Sequence, residues 1–365
     1  MIPITRPYLP PLEDYERLLE RVWGSHMLSN FGPFARELEA VVSTRIGTRS
    51  RVVVSGDIGL VIAIAALGMP EGASVVLPSF TFNSTVNAVL WNRLRPVFAD
   101  IDVDSFHVDP EQVEAAVRRT KASLILATHV FGAPADVEPL QDVARRLGVH
   151  LLFDAAHAYG ASHAGRAIGS FGDAEVFSLS GTKPVTTGEG GLITSRDDDL
   201  LRKVDYLRAY GFQDDYNSVV VGLNGKMSEM HACLGLLTLP RVDEAIAVRG
   251  RLVERYKEAF GPFPGLSYQR VGMDDISTYK DFAILFATPD ARLRAESALT
   301  RAEVQTKRYF LPCHRMPAFR RFTDGDLPVT EDVHERLLCV PIFEELTDEQ
   351  LSLVANVIRE SWHSA

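Results

Sequence analysis

Residues 51–99 read RVVVSGDIGLVIAIAALGMPEGASVVLPSFTFNSTVNAVLWNRLRPVFA, and they decide the fold. Arg51–Ser55 is β-branched and apolar, which predicts a strand. A helix follows from Ile58 to about Leu67. Ser74–Leu77 is a second strand, Asn83–Trp91 a second helix and Pro96–Ala99 a third strand. Strands that are apolar without alternation are buried on both faces. Regular exchange of strand and helix implies a mostly parallel sheet flanked by helices, an α/β fold.

The same alternation continues outward. A helix starts at Asp109-Pro110, where Asp caps and Pro takes the first turn. Ser123–Thr128 and His150–Phe153 read as strands, with a helix over Val137–Leu147 between them. Ala174–Phe177 and Gly191–Thr194 are two more strands. From Asp197 to Ala259 the pattern is helical. After Pro262 the texture changes. Asp281–Phe286 and the residues from Leu311 on look like strands, and Pro289–Leu299 and Asp348–Ser361 like helices. The expected division is a large α/β domain, residues 1–245, and a smaller C-terminal α/β domain, residues 246–365, with the helix from Leu239 to Ala259 spanning the boundary.

Composition narrows the class. The 365 residues carry 38 Lys plus Arg against 48 Asp plus Glu, a net charge of −10, which argues against nucleic acid as a partner. Three distant cysteines without a CxxC exclude a disulfide scaffold and a cysteine zinc site, no metal site is expected, and a reducing cytoplasm suits them. The longest apolar run, Leu60 to Met69, falls well short of the roughly 20 residues a membrane span needs. The first residues, MIPITRPYLPPLEDYE, lack the basic and then apolar character of an export signal.

Open parallel sheets bind ligands beyond the carboxyl ends of their strands. Four such ends carry chemistry. Leu151-Leu-Phe-Asp154 ends an apolar strand in a carboxylate, which suits either a helix cap or a buried partner for a cation. His157 follows three residues later and is either a core histidine or a ligand contact. After the strand at Phe177 comes Ser178-Leu-Ser-Gly-Thr-Lys183-Pro, then the turn Thr187-Gly-Glu-Gly-Gly191. Small hydroxyl residues and glycine let backbone amides approach a phosphate, and Lys183 can be a phosphate contact, an amine nucleophile or a solvated loop residue. Val52-Val-Val-Ser-Gly56-Asp57-Ile58 leads a strand into a helix whose first amides suit an anion, or forms a plain turn. Phe82, after Leu77-Pro-Ser-Phe-Thr, is either core or a stacking surface.

Taken together, these motifs resemble the sugar aminotransferases of the DegT, DnrJ, EryC1 and StrS family. The likeness runs from Leu28-Ser-Asn-Phe-Gly-Pro33 to the C-terminus. It includes Pro78-Ser-Phe-Thr-Phe82, His129-Val-Phe-Gly132, Phe153-Asp-Ala-Ala-His-Ala-Tyr-Gly160 and Gly222-Leu-Asn-Gly-Lys-Met-Ser-Glu229. The resemblance implies the type I fold of pyridoxal-phosphate (PLP) transferases. It implies that Lys183 forms the Schiff base with PLP and that Asp154 holds the protonated pyridine nitrogen. By the same likeness Phe82 stacks on the ring, and His157 contacts the ring or its hydroxyl. Ser178, Gly56, Asp57 and Ile58 bind the phosphate, and Asn224 reaches it from a neighbouring subunit of a homodimer. Lys226, Lys307, Arg308, Tyr309 and His314 lie in segments the family places around the substrate. The implied reaction passes an amino group from an amino-acid donor, L-glutamate, to a nucleotide-linked keto-deoxysugar.

Two features depart from the family pattern. The phosphate turn usually reads Gly-Thr and here reads Gly56-Asp57, so the backbone amides of Asp57 and Ile58 are expected to bind while the carboxylate turns away as a cap. The usual Asn-Tyr-Arg reads Asn224-Gly225-Lys226. Three rival readings remain. A related dehydratase carries His in place of the lysine, a non-catalytic regulatory member would not need Lys183 with Asp154, and a PLP enzyme of amino-acid metabolism would differ in its substrates.

Overall fold

In the computed structural model, which describes residues 1–214 and 216–363, a seven-stranded sheet forms the centre. Its strands are β1 (Arg49–Val53), β2 (Ser74–Pro78), β3 (Arg95–Ala99), β4 (Leu124–Thr128), β5 (His150–Asp154), β6 (Ala174–Ser178) and β7 (Gly191–Ser195). They lie side by side in the order β1-β7-β6-β5-β4-β2-β3. Only β7 runs against its two neighbours, and every other pairing is parallel. The sheet is mostly parallel, as its unbroken apolar strands require.

Each strand feeds both layers. Phe153 and Phe177 point to one face, with Phe34, Leu38 and Leu140. Leu152 and Val176, one residue earlier on the same strands, point to the other, with Leu60, Val86 and Val204. This is the two-residue period of a strand buried on both sides. Each fully buried Phe or Leu contributes about 1.5–3 kcal/mol. The helix Gly56–Leu67 lies inside the second layer and stops at Gly68, whose φ of 70° a side chain would resist.

A second sheet of three antiparallel strands joins Leu266–Tyr268, Phe282–Phe286 and Leu337–Val340. Helices Val242–Phe260, Pro289–Arg301 and Asp348–His363 accompany it. The helix Val242–Phe260 serves both cores: Val242 and Ile246 sit in the first, and Leu252, Val253 and Tyr256 in the second. The chain start also joins the second sheet's layer. The Ile2 amide donates to the Glu303 carbonyl at 2.8 Å, and Ile2 packs in that core.

Two readings of the chain are corrected. Strand does not begin at Leu311; Cys313–Arg315 and Arg320–Phe322 are short 3₁₀ turns, and the strand waits until Leu337. Pro312, Pro317 and Pro328 break the intervening segment, because proline cannot donate to a ladder. The helical stretch 197–259 is three helices, Asp198–Leu207, Glu229–Thr238 and Val242–Phe260, and the described residues between the first two include a short hairpin. Among the described residues no helix is long and apolar enough to cross a membrane.

Candidate active site

A cavity of about 380 Å³ opens at the carboxyl ends of β1, β5 and β6. Asp154, His157, Ser178, Lys183, Gly56, Asp57 and Phe82 all line it. They arrive from four separate loops, so the sheet is what brings them together.

Asp154 ends β5 and is buried. The Thr85 hydroxyl donates to its Oδ2 at 2.7 Å, and the Ala156 amide donates to its Oδ1 at 3.0 Å. Burial pushes its carboxyl above the usual carboxylate range, against these two donors and the positive charge of Lys183. A buried carboxylate of this kind favours a cation beside it. It is not a helix cap.

Lys183 sits in the loop between β6 and β7. Its amide donates to the Ser180 carbonyl at 3.0 Å, which fixes the turn ahead of Pro184. Its ammonium is pushed down to about 8, first by burial and then by the neighbouring charge of Lys280. At pH 7 about a tenth of such a group is neutral, against roughly three in ten thousand for an ordinary lysine.

His157 stacks towards Phe310, with ring centres 6.4 Å apart. Its Nδ1 is buried with no hydrogen-bond partner. Burial, with Lys183 and Lys280 adding to it, holds the imidazole well below its usual range, so it is neutral. An unmatched buried nitrogen on a cavity wall is a place for a ligand's polar atom.

The turn after β1 is built for close approach. A Cβ on Gly56 would stand 2.9 Å from the Ser178 Cβ. A Cβ on Gly191 would stand 2.7 Å from the Gly56 nitrogen and 2.8 Å from the Phe177 carbonyl. Both positions therefore need glycine for space. The Ser55 side chain caps the helix by accepting from the Ile58 amide at 3.2 Å. That corrects two expectations. Asp57 is not the cap, and the Ile58 amide is already engaged. The amides of Gly56 and Asp57 remain as first-turn donors without an intrahelical partner. Ser178 Oγ accepts from the Ser180 amide at 3.4 Å. Phe82 is 55% exposed at the cavity wall, a flat apolar surface rather than core.

The expected substrate residues divide. Lys307 and Tyr309 line the cavity. Arg308 does not. Its guanidinium bonds the His334 carbonyl at 3.2 Å and Glu335 at 3.4 Å. His314 does not either, since its ring is held between Ser79 at 2.7 Å and Glu331 at 2.7 Å. Adjacent residues on an extended segment point to opposite sides, which is why Arg308 turns away from Lys307 and Tyr309. Lys226 donates to Asn30 at 2.7 Å outside the cavity. Asn224 is exposed and does not line the cavity of its own chain.

Two residues were not anticipated. Thr85 orients Asp154 across 69 positions of sequence. Lys280, beside Asp281, enters the cavity from just ahead of Phe282–Phe286, the central strand of the second sheet. The only available signal was a charged Lys-Asp pair directly before the apolar run Phe282–Phe286.

Known proteins share this sequence and fold over nearly the whole chain. A dTDP-4-amino-4,6-dideoxy-D-glucose transaminase of Escherichia coli is 31% identical over 356 residues, 95% of each chain. A GDP-perosamine synthase of Caulobacter vibrioides is 32% identical over 360 residues, 94% of this chain and 95% of the other. The crystal structure of DesI in the presence of its TDP-sugar product superposes with a TM-score of 0.91 at 34% identity, over 97% of this chain and 91% of that one. The family pattern itself is matched over residues 12–359, and on that extent the chain belongs to the DegT/DnrJ/EryC1/StrS aminotransferase family.

Proposed function

We infer that this aminotransferase holds pyridoxal phosphate in the cavity and moves an amino group from an amino acid, L-glutamate by family likeness, to a nucleotide-linked keto-deoxysugar. The observation that carries the reading is the pairing of Lys183 and Asp154. One cavity presents a lysine titrating near 8 and a buried carboxylate, delivered by the ends of adjacent parallel strands.

The residues fit the cofactor. Asp154 would face the protonated ring nitrogen, which supplies the cation its burial calls for. Phe82 would cover one ring face, and the unmatched Nδ1 of His157 marks a place for a polar ring substituent. The Gly56 and Asp57 amides with Ser178 would hold the phosphate at the helix start. When bound, the cofactor supplies an electrophilic carbon for amine exchange and a ring that takes up the electron pair left on the substrate carbon.

The chain's own part is proton handling and charge control. Lys183 Nζ, partly neutral at physiological pH, takes a proton from the donor α-carbon and later returns one. The Thr85 hydroxyl and the Ala156 amide bond the ionised form of Asp154 and oppose the upward push of burial, and the protonated ring nitrogen would add to them. Lys307 and Tyr309 stand at the opening to meet the sugar. Asn224, exposed and away from its own cavity, would complete the phosphate site of a second copy, so the working unit is a homodimer. The division near residue 245 separates the part holding Lys183 and Asp154 from the part supplying Lys280, Lys307 and Tyr309.

The test is spectroscopic. Purified protein with pyridoxal phosphate should show a visible Schiff-base band that L-glutamate bleaches, and a nucleotide-linked keto sugar should restore it. Lys183→Ala should abolish both the band and turnover. Turnover retained by Lys183→Ala would refute the assignment, and a protein that never binds the cofactor would favour a regulatory role.

A further inference from the structure

The following rests on the reading above. An aminotransferase of this kind meets two unlike substrates at one reacting point. An α-amino-acid donor carries a carboxylate one bond from the reacting carbon. A keto sugar carries no charge there. The site must offer a cation to the first and keep it from standing unpaired beside the second.

Three lysines line the cavity: Lys183, Lys280 and Lys307. Lys183 is the reacting amine. Lys307 is exposed at the rim, its Nζ 5.3 Å from the centre of the Tyr309 ring. Lys280 differs from both. Its side chain is 2% exposed, and its Nζ lies 2.9 and 3.0 Å from the two oxygens of Asp281, itself 4% exposed. A buried ion pair adds little to stability, and apolar residues of the same volume usually do as well or better. The position of this pair on a cavity wall therefore asks for another reason.

Its base is fixed. The Lys280 amide donates to the Phe131 carbonyl at 2.9 Å, and the Thr278 hydroxyl donates to the His157 carbonyl at 2.6 Å. The buried Arg249 guanidinium bonds the carbonyls of Tyr279 at 3.1 Å and Ile342 at 3.2 Å. These bonds tie the Lys280 segment to the loop that carries His157. Lys280 lines the same cavity as Lys183 and His157, and its charge acts on both: after burial it is the strongest influence on Lys183, and His157 feels both lysines.

We propose that Lys280, held in reserve by Asp281, is the subsite for the α-carboxylate of the amino-acid donor. With the donor present, the Lys280 ammonium is shared between Asp281 and the incoming carboxylate. With the sugar present, it returns to Asp281, and the pair meets sugar hydroxyls as a neutral donor and acceptor. One preformed pair thereby serves both half-reactions without a large movement.

The experiment uses the cofactor-loaded enzyme and follows each half-reaction by its visible band. One arm titrates L-glutamate and the other a dTDP-linked 4-amino-4,6-dideoxyglucose. A third arm measures binding of glutarate, which cannot react, by calorimetry. Lys280→Met should raise the half-saturating glutamate concentration by about 30-fold or more, the range for removing one partner of a close charge pair. Glutarate affinity should fall in parallel, and the loss in the glutamate arm should exceed any loss in the amino-sugar arm, which shares the effect of Lys280 on Lys183, by about 10-fold or more. Because Lys280→Met leaves Asp281 buried and unpaired, the double variant Lys280→Met/Asp281→Leu is measured beside it and should show the same selective loss. Lys280→Arg should recover part of the glutamate response. Equal losses in both half-reaction arms, or wild-type glutarate binding by the double variant, would overturn the subsite. If the wild-type band answers glutamate in a Lys280-dependent way but ignores the amino sugar, the subsite stands and the sugar reading fails. If it answers neither substrate, both fail.

Discussion

The Thr85 hydroxyl donates to Asp154 Oδ2 at 2.7 Å, with both side chains buried. An ionised carboxylate only accepts, so the Thr85 proton is committed to it. Thr81 Oγ1, 2.8 Å from Thr85, must then donate to Thr85, and Thr128 Oγ1, 3.1 Å from Thr81, must donate to Thr81. Three hydroxyls from the β2–helix turn, the helix itself and the end of β4 thus point one way, toward the charge. Hydrogen bonds to charged groups contribute about 1.5–3 kcal/mol each. Thr85→Val should therefore weaken cofactor binding by roughly 10- to 100-fold. Thr85→Ser, which keeps the hydroxyl, should stay near wild type. Equilibrium titration of the cofactor against protein fluorescence measures both. Equal affinities for Val and Ser would show that the hydroxyl does not support Asp154.

Lys183 should make the cofactor-free protein more stable as pH rises. Its ammonium titrates near 8 in the folded chain and near its ordinary 10.5 when unfolded. Between those values the unfolded chain holds more protons, so unfolding free energy climbs with pH across the window. Below about 8 the cost of burying the charge is fully present. Lys183→Met removes it and should stabilise the cofactor-free protein at pH 7 by on the order of 1–3 kcal/mol, a range reduced because the side chain keeps some contact with water. The advantage should vanish above about pH 10.5. Urea unfolding at pH 7, 9 and 10.5 reads it directly. A constant difference across that range would mean that the lysine is not buried as described.

How much of this was legible beforehand follows from distance along the chain. Asp154 and Ser178 could be read because each is the polar residue that closes a largely apolar strand, and a parallel sheet gathers such ends on one side. Lys183 could be read from its glycine- and hydroxyl-rich loop. Thr85 could not, because nothing local distinguishes it from Ser84, and only the fold brings the first turn of the helix Asn83–Trp91 to the end of β5 and aims it at Asp154. Arg308 and His314 mislead for the complementary reason. Their charge is local, but Glu335 and Glu331, which hold them, sit 27 and 17 positions away. Lys280 is hidden in the sequence because its neighbour Asp281 makes the dipeptide look like an ordinary solvated pair, whereas both side chains are buried.

Gly191 should tolerate no larger residue. A Cβ there would meet backbone on two sides: the Ser55–Gly56 peptide link, with its carbon and nitrogen both at 2.7 Å, and the Phe177 carbonyl oxygen at 2.8 Å. Backbone cannot rotate away as a side chain can. Gly191→Ala should push β7 from the turn after β1, at a cost of about 1–3 kcal/mol. It should also loosen the phosphate amides at Gly56 and Asp57. Thermal unfolding with and without pyridoxal phosphate separates the two effects. The cofactor-induced rise in melting temperature should shrink beyond what the loss of basal stability explains. An unchanged rise would place the phosphate elsewhere.

Asp57 supplies a prediction with opposite signs in the two states. It stands exposed in the first turn of the helix Gly56–Leu67, where a carboxylate is favoured by the helix dipole, usually by about 0.3–1 kcal/mol. Capping is done by Ser55, so the carboxylate is not needed for hydrogen bonding there. Its charge also reaches the cavity, because it raises both Lys183 and Asp154. A phosphate bound at the same turn would be repelled by it. Asp57→Asn should therefore lower the melting temperature of the cofactor-free protein slightly and tighten cofactor binding, by about 3- to 10-fold for a solvent-exposed charge pair worth about 1 kcal/mol. Added salt should narrow the affinity gap, since an exposed charge is screened. A variant that binds the cofactor more weakly than wild type would show that Asp57 acts as a ligand through its side chain, and the backbone-only account of the phosphate turn would have to be given up.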